Sequence, residues 1–127
     1  MKKIIVKSML AGLLLLPLMA NAGTVQGKLN GISCAVANVF CPIDKLDPYV
    51  ALEKDFVVQQ PDGTFYLLPN VDRAVKARFV LDEVTVTGDV NDKYKTVDAD
   101  TIAVNGKVVW SKQMQEDLRK QLFQGSQ

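Results

Sequence analysis

Cys34 and Cys41 are the two cysteines of the 127-residue chain, and no histidine occurs anywhere in it. An even, closely spaced pair in an oxidising compartment reads most simply as a structural disulfide, worth about 2.5 kcal/mol on the chain-entropy estimate for so short a loop. Two sharper readings use the same atoms. A redox-active dithiol of the thioredoxin kind places its thiols two residues apart, closer than these. A soft metal site built on two thiolates lacks imidazole here, and Met114 is the one methionine beyond the first 22 residues. No metal or other cofactor is therefore expected. The missing histidine also removes the commonest general base and the usual partner of a nucleophilic Ser or Cys, so no catalytic constellation is assigned. Carboxylate neighbours such as Asp82 with Glu83, or Asp98 with Asp100, read as solvated charge, and no glycine-rich phosphate loop is present.

The compartment follows from the start of the chain. Lys2, Lys3 and Lys7 precede an apolar run from Met9 to Met19 that Ala20-Asn21-Ala22 closes, the pattern of a cleaved export signal. Residues 1–22 are thus expected to be removed, leaving 23–127 as a single domain, periplasmic or secreted, without a lipid anchor or a membrane-spanning segment. Of the 15 basic residues three lie in this leader, which leaves 12 against 14 acidic ones. So slightly acidic a balance argues against a nonspecific nucleic-acid binder, which needs clustered Lys and Arg.

The elements that carry these residues are mostly strands. Val25, Gly27 and Leu29 alternate with Thr24, Gln26 and Lys28 as a first strand. A long excursion from Asn30 to about Lys54 holds the cysteines and one helical turn near Pro48 to Leu52. Strands over Asp55–Gln60 and Thr64–Leu68 meet across Pro61-Asp62-Gly63. Asn70 is expected to cap a short helix on which Val71, Ala74, Val75 and Phe79 recur. Val84, Val86 and Val90 define a fourth strand, with Gly88 at a sharp bend. In the fifth, about Lys95 to Val104, the apolar phase shifts and predicts a bulge near Asp100. Asn105-Gly106 signals a hairpin into Lys107–Trp110. Ser111 then caps a last helix, Lys112 to Phe123, whose stripe of Met114, Leu118 and Leu122 is expected to dock on the barrel, a partner-binding face being the alternative.

This order, with a helix between strands three and four, is that of an OB-fold barrel. Val84-Thr85-Val86-Thr87-Gly88-Asp89-Val90 resembles the fourth-strand phrase of small exported bacterial OB-fold proteins. Gly27-Lys28-Leu29 followed by Cys34 and Cys41 resembles their first strand and loop. The resemblance implies a mainly β, five-stranded OB-fold-like barrel with an extra C-terminal hairpin strand and a C-terminal helix. It implies little about activity. The haem chaperones among exported OB folds attach haem through a His, which this chain lacks.

The expected function is a noncatalytic periplasmic binding or interaction module for an envelope protein or a small ligand. Its candidate surface comprises Tyr49, Tyr66 and Tyr94, with Phe65 or Leu68 depending on register, and the cations Arg73 and Lys76 as an anion site on an exposed helix face. A redox or metal protein using Cys34 and Cys41 is the alternative, and a nucleic-acid binder comes third.

Overall fold

The computed structural model describes residues 22–41 and 44–125. The expected leader lies outside them apart from Ala22, as do Pro42 and Ile43. Six strands form one antiparallel sheet: β1 (Ala22–Gly31), β2 (Phe56–Gln59), β3 (Phe65–Tyr66), β4 (Glu83–Asn91), β5 (Thr96–Val104) and β6 (Lys107–Ser111), in the spatial order β3-β2-β1-β4-β5-β6. The helices are α1 (Ile32–Val36), α2 (Tyr49–Leu52), α3 (Arg73–Arg78) and α4 (Lys112–Gln124).

The sheet is mainly β as expected but is not closed into a five-stranded barrel. Beyond β3, a single parallel bridge joins Leu67 to Thr96, with Leu67 N–H donating to Lys95 O and Val97 N–H to Leu67 O, both at 2.9 Å. No ladder continues it among the described residues, because Pro69 has no N–H to offer and the chain turns into α3.

Alternation decides which side chains meet. Val25 and Leu29 of β1, Phe56 and Val58 of β2, Val84 and Val86 of β4, and Val97, Ala99 and Ile102 of β5 face one core together with Leu68, Val80 and Trp110. β5 switches phase between Ala99 and Ile102 because Gly88 pairs with Ala99 while Thr87 pairs with Thr101, leaving Asp100 as the extra residue of a bulge. Gly88 has to be glycine there. A Cβ would lie 2.1 Å from Asp98 O and 2.9 Å from Ala99 Cα. Asn105 and Gly106 both adopt positive φ, 52° and 76°, as the two-residue hairpin requires. At the β2–β3 turn Gly63 takes φ 90°, and Asp62 accepts from the Thr64 hydroxyl at 2.6 Å and its N–H at 2.9 Å, which holds the Asp62 carboxyl below its usual range.

Three local expectations are corrected. The excursion begins later than Asn30: β1 continues to Gly31, and α1 carries Cys34. Asn70 does not cap α3, which starts after Asp72. Instead its side-chain amide pairs with the bulged strand, Nδ2 donating to Ala99 O and Oδ1 accepting from Ala99 N–H, both at 2.8 Å. It continues along the edge of β5 that Leu67 begins, where Val97 N–H donates to Leu67 O.

The third correction concerns α4. Ser111 caps it as expected, accepting from Met114 N–H at 3.1 Å. Its apolar stripe does not dock: Met114, Leu118 and Leu122 are all more than half exposed. The contact runs through Gln115, whose Nε2 donates to Asn70 O at 3.0 Å and whose Oε1 accepts from Trp110 Nε1 at 3.3 Å, and through Arg119 beside Asp72.

Candidate functional site

β1, β4 and the loop after it border an open cleft of about 700 Å³, lined by Ala22 to Val25, Gln60, Tyr66 and Asp89 to Asp92. β2 pairs with β1 only from Lys28 to Gly31, so the N-terminal half of β1 is left without a strand partner on this side among the described residues. Tyr66 is the link between core and cleft. Its ring belongs to the buried cluster, and its hydroxyl donates to Asp92 Oδ1 at 2.7 Å. That bond favours the protonated phenol and raises Tyr66 above the usual tyrosine value, burial adding to it. Lys95 covers the same ring at 5.2 Å, held there by a backbone with φ 53°. Tyr94, at the tip of the turn, is 65% exposed, and its N–H donates to Asn91 Oδ1 at 3.1 Å.

The expected surface is therefore divided. Tyr66 lies in the cleft and Tyr94 on the turn that borders it. Phe65 is half-buried on the edge strand, and Leu68 is buried. Tyr49 sits on α2, beyond the loop that the Cys34–Cys41 bridge closes, half exposed and away from the cleft lining. Arg73 and Lys76 do not form the expected exposed cationic face. Arg73 donates to Val50 O and Glu53 O and stacks over Phe56 at 5.2 Å, so it fastens α2 to α3. Lys76 is 2% exposed, paired with Asp55 at 2.5 Å and donating to Leu68 O. An amphipathic reading exposes a lysine by default; here one long stem passes through the core to a carboxylate, a path sequence spacing does not reveal.

The second cluster surrounds the cysteines. Cys34 and Cys41 form a disulfide with their Cα atoms 5.8 Å apart. Asn30, fully buried, ties the loop to the sheet: its Nδ2 donates to Val39 O and to Gln59 Oε1, and its Oδ1 accepts from Cys41 N–H. Against the bridge lies Glu53, 3% exposed, whose Oε2 accepts from Ser33 N–H at 3.2 Å and whose Oε1 lies 3.6 Å from Cys34 Sγ. One donor atom each from Cys34, Cys41 and Glu53 falls within 4.8 Å of the others. A metal would need both sulfurs as thiolates, and the closed bridge withholds them.

Asn30, Gln59, Glu53 and Asp92 are missed by sequence reasoning. Only Asp92, in a turn beside an aromatic residue, carries a local cue. Comparison with protein-family models, curated proteins and solved structures finds no match to this chain.

Proposed function

We propose that the chain is an exported, noncatalytic binding module of OB-like organisation whose ligand lies in the Tyr66 cleft. The disulfide supports export, since such bridges persist in oxidising compartments. Among the described residues no helix is long and apolar enough to cross a membrane. Strand order, the helix between β3 and β4, and the Leu67–Thr96 bridge support the OB-like reading.

The observation that carries the ligand class is the cleft lining. Carboxylates at Asp89 and Asp92 and amides at Gln60 and Asn91 line the cleft with acceptors and donors, and Tyr94 lies on the adjoining turn with Lys93 over its ring at 5.2 Å. Planar polar side chains along an open cleft suit a ligand dense in hydroxyl groups, which points to a glycan.

Isothermal titration of the chain beginning at Gly23 against a panel of soluble oligosaccharides tests this. Gln60→Ala with Asp89→Asn is expected to weaken binding at least about tenfold, the scale of one or two lost hydrogen bonds. Equal affinity in the double variant, or no binding to any member of the panel, refutes the reading.

A further inference from the structure

Leu29 N–H donates to Asp82 O at 3.1 Å, on the β4 side of β1. Backbone directions alternate along a strand, and the β1–β4 register runs unbroken from Ala22 to Lys28. Gly23, Val25 and Gly27 therefore turn N–H and C=O toward β4, while Thr24 and Gln26 turn theirs the other way. No strand among the described residues meets them there. The β1–β2 ladder ends where Lys28 pairs with Gln59, and the next outward residue, Gln26, falls opposite Pro61, which has no N–H to give. Gln60 N–H is spent on Thr64 O at 2.8 Å. Of the two outward residues, Thr24 lines the Tyr66 cleft and Gln26 lies outside the lining.

Thr24 offers the cleft something its side chains do not. Asp89 and Asp92 are acceptors, and the Tyr66 hydroxyl is given to Asp92. Sugar hydroxyls donate readily to such carboxylates. The Thr24 N–H is a donor whose direction the ladder to β4 fixes, and the neutral group that matches it is an amide carbonyl, the acceptor a neighbouring strand would have supplied. A long run of such groups takes an extended peptide, through several successive main-chain bonds. A single residue is too short an edge for that. It is enough for one amide.

We propose that the glycan of the Tyr66 cleft is an N-acylated amino sugar, whose acyl carbonyl accepts from Thr24 N–H while its hydroxyls face Asp89 and Gln60. This inference rests on the glycan reading and narrows it to one class of sugar. The acyl group stands against β1 as a single peptide unit of a missing strand would, and Thr24 C=O, on the same edge, accepts from a ring hydroxyl.

Isothermal titration of the chain beginning at Gly23 compares chitotetraose with cellotetraose, which share length and linkage and differ in bearing acetamido or hydroxyl groups. Chitotetraose is expected to bind at least about tenfold tighter, the scale of one hydrogen bond made or left unmade at a fixed donor. Thr24→Pro deletes that donor on an edge where proline breaks no ladder bond, and is expected to bring the two affinities within about threefold while cellotetraose binding holds. The wild-type comparison stands without the variant. Equal affinity for the two tetramers overturns the inference and leaves the glycan reading to its own test with Gln60→Ala and Asp89→Asn. Absence of chitotetraose binding overturns it as well. So does tighter binding of the deacetylated tetramer, whose ammonium groups seek Asp89 and Asp92, or of an acetylated Thr-Val-Thr-Val amide, the mark of an added strand. A preference for chitotetraose that survives Thr24→Pro overturns the assignment to Thr24.

Discussion

Tyr66 joins core and cleft in one side chain, because its ring fills the core while its hydroxyl is handed to Asp92 at the cleft. Removing the hydroxyl while keeping the ring isolates the second role. Tyr66→Phe is expected to cost about 1 kcal/mol in denaturant unfolding near neutral pH, a charge-assisted bond discounted for the exposure of Asp92. The dependence on pH has a definite sign. A folded value above the unfolded one means that the bond's contribution is complete below about pH 10 and is lost as pH climbs through the raised value. Ultraviolet titration of the phenols should place the component missing from Tyr66→Phe above the ordinary tyrosine range. A variant that matches wild type in both stability and titration would separate Tyr66 from Asp92.

At the level of elements, the strands were legible wherever alternation or a turn dictated them. Val84 and Val86 are buried and Val90 half-buried on one face of β4, Asp100 is the bulged residue, and Asn105-Gly106 makes the hairpin. What sequence could not supply was the choice between competing partners. Asn70 has a capping side chain but spends it on Ala99, and α4 has an apolar stripe but docks through Gln115, whose amide meets Asn70 O and Trp110 Nε1 together. In both cases an open strand edge or a strand end left polar groups that needed partners, and satisfying them outweighed the local signal. Gly88 is the sharpest test of this level. Gly88→Ala drives a methyl into the backbone of Asp98 and Ala99, with no flexible side chain to yield. A loss of at least about 2 kcal/mol in thermal or denaturant unfolding is expected. A loss under about 0.5 kcal/mol would mean that β4 and β5 pair without the bulge.

For the whole molecule, the bridge and the sheet core are separate sources of stability joined by a few polar contacts. The cysteine spacing was legible, and so was the bridge, but its buried polar surroundings were not. Glu53 follows Leu52 in a polar stretch and looks like solvated charge, whereas folding brings it under α1, 19 residues from Cys34 in sequence. Asn30 and Gln59, both buried, connect that cluster to β1 and β2, so the loop remains anchored when the covalent link is cut. The core residues from Val25 to Trp110 lie on strands outside the bridged segment. Replacing both cysteines by Ser is therefore expected to lower the unfolding free energy by about 2.5 kcal/mol while leaving the near-ultraviolet signal of Trp110 in place, because only the entropy of a short loop is lost. Circular dichroism with denaturant titration reads both quantities at once. Loss of the Trp110 signal in the folded baseline would show that the bridge, and not the valine-lined sheet, organises this chain.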